Sequence, residues 1–489
     1  MLCALKSALL HAIASIVLIL AIAACGNDPV PVERIDSVSI DPTFVELIVG
    51  ENQAFSVDVT ATGTIDTGVT WSVSDPDVAD IDGDGVLAAL SAGQATVRST
   101  SVADPSKSAS AALTVYETGS VRWAYQFGTG SNEGGFAVAT DSAGNVIITG
   151  YTLGNLEGST SSAGAEDVIV RKYDARGRYI WSTQFGTITN DFGYAVAVDP
   201  DDNFVIAGNT AGGMDGTNQG NFDVYLRKFD PEGHTLWTRQ FGTPGIDTLE
   251  DMAIDSAGNI IVVGRTRGDL EGTNAGSDDA FVRKYRPNGD IAWTRQFGTS
   301  GTDFARAVAI DEDDGVVVAG YTSGVLAGSF NSGADDAYVR KFDSEGETLW
   351  TRQFGTVATD LVQSVAVSPS GLIVLAGDTG GSLSGASNGS MDMFIRTYHP
   401  NGDHDIFVIG YTGGALTDSN AGMNDAFLIK FLPNVTLDWT RQFGTEADDN
   451  SLGVATDASG MVYVTGHTRG DLVVTNAGQQ DVFVRSYSR

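Results

Sequence analysis

Trp237-Thr238-Arg239-Gln240-Phe241-Gly242-Thr243 opens a stretch that runs on through Asp247 and Met252-Ala253-Ile254-Asp255. It continues with Gly258-Asn259-Ile260-Ile261-Val262-Val263-Gly264-Arg265-Thr266, a longer glycine-bearing loop, and Asp279-Ala280-Phe281-Val282-Arg283-Lys284-Tyr285. Four short runs rich in β-branched and aromatic residues, parted by Gly, Asn and Asp, predict four strands joined by turns. The stretch recurs along the chain. Its Gly-x-Thr phrase begins at Gly150, Gly208, Gly264, Gly320, Gly377, Gly410 and Gly466, at intervals of 58, 56, 56, 57, 33 and 56 residues. A repeated unit of this length buries its faces against its neighbours, not within itself. Four strands per unit and seven units predict a seven-bladed β-propeller over 121–489.

Side-chain size orders the strands within a blade. Blades converge on an axis, so the small residues of Ala195-Val196-Ala197-Val198 and its copies belong innermost, and the Trp-bearing strand belongs outermost. The repeats begin with a Trp strand, Trp123 to Phe127, and end with Asp481-Val482-Phe483-Val484-Arg485-Ser486-Tyr487. A ladder between those two is therefore expected, with Trp123, Phe127, Phe483 and Tyr487 at the closure, removing two exposed sheet edges at once.

The 33-residue interval is about 23 residues short. Asn401-Gly402-Asp403 runs almost directly into Ile406-Phe407-Val408, and one Trp strand and one inner strand are missing. Six Trp copies (Trp123, Trp181, Trp237, Trp293, Trp350, Trp439) accordingly face seven Gly-x-Thr copies. This predicts a truncated sixth blade. His399 and His404 flank the scar and stand off the repeat frame.

Before the repeats, 34–117 reads as short alternating strands: Val38 to Ile40, Ala54 to Val59, Val69 to Val73, Gly93 to Ser99 and Ala111 to Val115. Turn signals separate them, as in a small β-sandwich. Trp71 is expected in its core. Asp80-x-Asp82-x-Asp84-Gly85 has the start of an EF-hand loop, but its twelfth position is Ser91, so it reads as a β-turn.

The segment also resembles the group 2 bacterial Ig-like domain, through Val69-Thr70-Trp71-Ser72, Asp77-Val78-Ala79-Asp80-Ile81-Asp82 and Leu90-Ser91-Ala92-Gly93-Gln94-Ala95-Thr96-Val97. The repeats are similar to the bacterial seven-bladed β-propeller repeat family, a resemblance that implies a fold and a surface or extracellular setting, and no common activity. The expected fold class is all-β: an N-terminal Ig-like β-sandwich followed by a seven-bladed β-propeller with a truncated sixth blade.

Residues 1–24 read as a targeting segment, with Lys6 ahead of the apolar run Ala8 to Ala24. Ile22-Ala23-Ala24-Cys25 resembles the bacterial lipobox, which implies lipidation of Cys25 and a membrane attachment through it. Gly26 favours the outer membrane or cell surface. Residues 25–33, with two prolines, read as an extended lipidated tether. Cys3 and Cys25 are the two cysteines of the chain, so thiol chemistry and cysteine metal sites are excluded from the repeats.

Acids outnumber bases 62 to 28, a net charge of −34. Such a surface repels phosphate backbones and excludes nucleic acid as a partner. Two loops per blade are long and emerge on one face, where function concentrates. Both carry a recurring acid: Glu133, Asp191, Asp247, Asp303, Asp360 and Asp449 in one, and Asp167, Asp223, Asp279, Asp336, Asp392, Asp425 and Asp481 in the other. Each either fixes its loop by accepting amide hydrogen bonds or ligates Ca²⁺. The candidate calcium ligands are Asp191, Asp247, Asp303, Asp360, Asp449, Asp223, Asp279 and Asp336.

No nucleophile elbow, zinc-binding histidine motif or odd carboxylate pair stands out. His234, His399, His404 and His467 are scattered. The expectation is thus a non-catalytic, monomeric surface lipoprotein, whose Ig-like stalk presents a propeller that binds a glycan or protein in an adhesion or scaffold role. The alternative is an extracellular polysaccharide-acting hydrolase or lyase on the propeller face.

Overall fold

A computed structural model describes residues 33–489 apart from 118, 157–163, 327–328, 330, 369–370, 382, 384–391, 399–405, 417–419, 432–436, 457–460, 474, 477 and 488–489. Cys25, the targeting segment, His399, His404 and the scar at 403–405 lie outside the described residues. Those described form strands and turns, with no helix. The chain falls into two compact units, Met1–Ser120 and Val121–Arg489.

In the first unit the largest sheet orders Phe44–Ile48, Ser108–Tyr116, Gly93–Ser101 and Val69–Val73, and Phe44–Ile48 runs parallel to its neighbour. Arg34–Asp41 pairs with Ser56–Thr62, while Asn52–Ala54, Val86–Ala89 and Ala79–Ile81 make a third sheet. Alternate side chains of Gly93–Ser101 turn inward, joining Leu47, Phe55, Leu87 and Leu113 in one core. Trp71 packs on that core, its ring 6.1 Å from Phe55. Asp82 Oδ1 accepts hydrogen bonds from the amides of Asp84 (3.0 Å) and Val86 (2.8 Å). The aspartate-rich stretch is therefore a side-chain-stabilised turn between strands.

The second unit contains seven antiparallel sheets. The first four are complete, each running from small-residue strand to Trp strand, as in Asp191–Val198, Phe204–Thr210, Asp223–Phe229 and Thr235–Phe241. The seventh orders Asp449–Thr456, Val462–Thr468, Asp481–Tyr487 and Val121–Phe127. Its ladder sets Trp123 opposite Ser486 and Phe127 opposite Val482. The first strand of the ring thus completes its last blade, and two edges vanish.

The missing residues are shared between two blades. Among the described residues the fifth sheet is Asp360–Val367, Ile373–Thr379 and Asp392–Tyr398, without an outer strand, and the sixth is Ile406–Thr412, Asp425–Phe431 and Leu437–Phe443, without an inner one. The sequence assigned the whole loss to the sixth blade because Gly-x-Thr was its counter. The deletion, however, begins at the outer end of one blade and finishes at the inner end of the next.

Apolar cores lie between blades. Ile147, Val168 and Val170 of the first pack with Val196, Phe204, Ile206, Tyr225 and Phe229 of the second. Burying a ring such as Phe204 contributes about 1.5–3 kcal/mol. Both faces of the middle strands are covered, which explains why Phe204–Thr210 is buried throughout and reads as a continuous apolar run.

Candidate functional site

Each inner strand slips register by one residue against its partner. The slips fall between Gly135 and Ala137, Gly193 and Ala195, Leu249 and Asp251, Ala305 and Ala307, Val362 and Ser364, and Ser451 and Gly453. The residue skipped is Phe136, Tyr194, Glu250, Arg306, Gln363 or Leu452. A bulge leaves its residue out of the ladder and re-aims the side chain. The glycine of Gly-x-Thr faces this bulge, and a Cβ on Gly264 would lie 1.9 Å from the Thr248 carbonyl oxygen. The phrase that counts the blades is therefore the partner of a bulge.

Two positions per blade meet there: the bulged residue and the x of Gly-x-Thr. Both lie near the end of the inner strands where the long loops emerge, around the mouth of the central channel. Both vary from blade to blade. In the first blade both are aromatic, Phe136 and Tyr151; in the second the bulged residue Tyr194 is aromatic and is joined by Phe192 of the same strand, while Asn209 fills the x. Phe136 lies 5.5 Å from Tyr151 and 4.8 Å from Tyr194 between ring centroids. Phe192 lies 5.5 Å from Tyr151 and 5.6 Å from Tyr194. These four half-buried rings make one platform.

The third and fourth blades place charge at the same positions. Arg306 Nη1 donates to Glu250 Oε2 at 2.7 Å, with 33% and 17% of the two side chains exposed. Arg265 lies 4.5 Å over the Phe304 ring and donates to Thr248 Oγ1 (3.1 Å) and Asp278 Oδ1 (3.3 Å). Phe304 stacks on Tyr321 at 4.8 Å. In the seventh blade Asn450 Nδ2 sits 3.1 Å from His467 Nε2.

Protonation follows from this packing. Burial, helped by Glu250, pushes the Tyr194 hydroxyl up to about 12, so it remains a hydrogen-bond donor at neutral pH. Burial holds His467 down to about 4, aided by Arg469 and opposed by Asp448; its ring is neutral at pH 7. Asp251, next to Glu250, is lifted by burial to about 6 against the pull of the Val308 and Met252 amides.

The acids expected on the long-loop face are buried, apart from Asp392, whose side chain lies outside the described ones. Of the candidate calcium ligands (Asp191, Asp247, Asp303, Asp360, Asp449, Asp223, Asp279 and Asp336), six meet in twos around the glycine that follows a Trp strand, and Asp191 and Asp449 meet Asp167 and Asp425 in the same way. A Cβ on Gly242 would lie 2.2 Å from Asp223 Oδ1 and 3.2 Å from Asp247 Oδ2. Asp223 Oδ2 accepts from the Gln219 amide (2.9 Å) and Gln240 Nε2 (2.8 Å). Asp247 Oδ2 accepts from the amide (2.6 Å) and hydroxyl (2.8 Å) of Thr243. Calcium takes six to eight oxygens, and among the described residues no three His, Cys, Asp or Glu side chains are placed to hold a metal ion. The hydrogen bonds that these carboxylates accept hold the loops.

The channel-mouth residues escaped the sequence reading, which followed what the repeats share. Their signal was variation at a fixed repeat position: Tyr151, Asn209, Arg265, Tyr321, Asp378, Tyr411 and His467 all fill the x of Gly-x-Thr.

Comparison with known proteins names the two parts. Residues 34–113 match the bacterial Ig-like domain (group 2). Residues 236–271, 292–327 and 438–472 match the family described as beta-propeller repeat. The chain is an Ig-like domain followed by β-propeller repeats. The chain is 30% identical over 178 residues to the regulatory protein FlaEY of Caulobacter vibrioides, covering 33% of this chain and 19% of that one. A 71-residue stretch is 42% identical to the 3-O-alpha-D-galactosyl-alpha-L-arabinofuranosidase of Bifidobacterium longum subsp. longum, covering 14% of this chain and 6% of that one. The chain thus spans a small share of these relatives. Among solved structures, an ulvan lyase, a polysaccharide lyase, aligns over 74% of this chain and 96% of its own at 13% identity and a TM-score of 0.43, a likeness of fold alone.

The expectation of a non-catalytic chain is corrected by these findings. A stretch of the chain is similar to part of an arabinofuranosidase. The ring also assembles a carboxylate, a guanidinium and tyrosines from blades too far apart in sequence to have registered as a constellation.

Proposed function

We propose that the propeller acts on a polysaccharide held across the mouth of its channel. The observation that carries the proposal is the aromatic platform of Phe136, Tyr151, Phe192 and Tyr194 sharing a mouth with the Glu250–Arg306 pair. Aromatic faces take the apolar C–H face of a sugar ring, and charged groups beside them hold its hydroxyls. Glu250, oriented by Arg306, is the acid/base in this reading, and the Tyr194 hydroxyl, neutral at pH 7, donates to the bound glycan. The reaction class is cleavage of a glycosidic linkage.

The test is a polysaccharide panel scored separately for retention and for product. Product from the native chain, with retention but no product from Glu250→Gln, supports the proposal. Neither retention nor product across the panel refutes it.

The same proposal places the chain outside the cytoplasm, attached through a lipid on Cys25. Its support is the lipobox-like Ile22-Ala23-Ala24-Cys25. Palmitate labelling in a bacterial host that persists in Cys25→Ser would overturn this part and leave the site untouched.

A further inference from the structure

The fifth and sixth blades leave two strand positions vacant. In the complete blades the third strand is covered by the Trp strand, and Val224, Ala280 and Ala337 are each 0% exposed. Their counterpart in the fifth blade, Met393, is 50% exposed. The arginine of that strand keeps its ordinary pose. Arg396 lies 4.2 Å over Phe354 of the preceding outer strand, as Arg227 lies 4.2 Å over Phe185 and Arg340 lies 4.0 Å over Phe297. Among the described residues one side of the ladder on Asp392–Tyr398 is therefore unfilled, while Phe394 and Tyr398 still pack into the core shared with the fourth blade.

The second vacancy lies across the same blade boundary. Ile406–Thr412 has no inner strand beside it. The flanking inner strands are opened by the gap: Gln363 is exposed and Leu452 is 39% exposed, where Phe136, Tyr194, Glu250 and Arg306 are half-buried. Ser451 holds the seam from the far side, its hydroxyl donating to the Gly410 carbonyl at 2.6 Å and accepting from the Gly410 amide at 3.1 Å.

Open edges are templates for another strand, and natural sheets blunt them with Lys, Pro or bulges. Neither edge here carries Lys or Pro, and Ile406-Phe407-Val408-Ile409-Gly410-Tyr411-Thr412 holds no charge at all. Elsewhere in the ring an outer strand and the following inner strand are one continuous segment, joined by a short loop, as Ile291–Phe297 leads through Gly298 to Asp303–Ile310. One extended segment thus fits both vacancies.

We infer that the fifth and sixth blades accept, from another polypeptide chain, a donor segment of this repeat's own outer-plus-inner pattern, Trp-x-x-Gln-Phe-Gly-Thr-x-x-x-Asp followed by small residues. The donor's outer strand adds to Asp392–Tyr398 and its inner strand to Ile406–Thr412. The chemistry of recognition is that of the intact blades. There the Gln of the outer strand ties the long loop, Gln240 Nε2 donating to Asp223 Oδ2 (2.8 Å) and the Gly212 carbonyl (3.0 Å) while its Oε1 accepts from the Met214 amide (2.7 Å). This inference is independent of the glycan proposal.

The probe is a labelled synthetic peptide of Ile291–Asp311, titrated into the full chain by fluorescence anisotropy, with amide exchange read by mass spectrometry. Expected are a dissociation constant tighter than about 100 μM and new protection confined to 392–398 and 406–412. A scrambled peptide should not bind, and Met393→Lys should weaken binding at least tenfold. A second chain carrying a copy of Ile291–Asp311 inserted after Tyr398 should melt higher and no longer bind the peptide. The inference is overturned if the native peptide does not bind or if protection appears elsewhere. It is equally overturned if the amides of 392–398 already exchange as slowly in the free chain as those of 223–229.

Discussion

Lys228 Nζ lies 2.6 Å from Asp199 Oδ2, with 5% and 3% of the two side chains exposed. The pair spans the second blade from third strand to inner turn, and it recurs as Lys172–Asp141 (2.9 Å), Lys284–Asp255 (2.7 Å) and Lys341–Asp311 (2.5 Å). The lysines also reach the next blade, Lys172 donating to the Pro231 carbonyl at 3.1 Å and Lys228 to that of Pro287 at 3.4 Å. In the fifth blade both partners change together, to Ser368 and Thr397.

Removing one buried partner strands the other charge, so Lys228→Met is expected to destabilise the propeller by about 3–5 kcal/mol. The double variant Asp199→Ser/Lys228→Thr, which copies the fifth blade, should cost less than the single one. Urea unfolding of the native chain, Asp199→Ser, Lys228→Thr and the double variant measures the coupling; a double loss equal to the sum of the two single losses would show none.

Mild acidification should draw a stabilising contribution from Asp251, against an opposite one from His467, whose ring burial keeps neutral. The Asp251 carboxyl is raised to about 6 from 3.8, chiefly by burial. Asp191, Asp247, Asp303 and Asp449 move the same way, also chiefly by burial. Between the unfolded and folded values the native state binds more protons. This stabilisation is complete below the unfolded value and is lost as pH rises through about 6. For Asp251 it amounts to at most about 3 kcal/mol. Between about pH 8 and pH 5 Asp251→Asn should therefore lose a gain in melting temperature that the native chain has, while His467→Gln should remove the opposing loss. A difference between the native chain and Asp251→Asn that does not change with pH would contradict the assignment.

Gly242→Ala tests the acid pairs. The added Cβ would meet Asp223 Oδ1 at 2.2 Å, so the carboxylate must leave the loop amide and Gln240 that it holds. A loss of about 1–3 kcal/mol is expected. Gly272→Ala, where nothing lies within 4 Å of the new carbon but φ is +86°, should cost about 1 kcal/mol. Thermal melts of both chains separate steric from backbone strain.

At the channel mouth, Tyr194→Ala removes ring contacts to Phe136 and Phe192 at a half-buried position. Retention on a bound polysaccharide should fall about tenfold, the worth of one aromatic contact of about 1.4 kcal/mol. Tyr194→Phe, which keeps the ring and loses the donor, should retain the glycan and slow its turnover. Loss of retention in Tyr194→Phe would assign binding to the hydroxyl instead.

Blade number, strand order within a blade and the group 2 Ig-like segment were all legible without coordinates. The reason is physical: glycines that face a bulge and threonines that bond a buried acid admit few substitutes, so Gly-x-Thr recurs wherever that geometry does. The same rule hid the candidate site. Glu250 and Arg306 lie 56 residues apart in sequence, at a bulge position that tolerates Phe, Tyr, Glu, Arg, Gln or Leu, and no local pattern links them. The loss around 403 was visible as a short interval, but its division between two sheets was not, since it depends on which strand begins a blade.

The sequence by itself thus determined the architecture, because repeated burial between sheets imposes a repeated code. Which side chains meet was decided by closing the ring. Closure brings the bulged residue of each inner strand to a common mouth, and it lays the unfilled edges of Asp392–Tyr398 and Ile406–Thr412 along one seam.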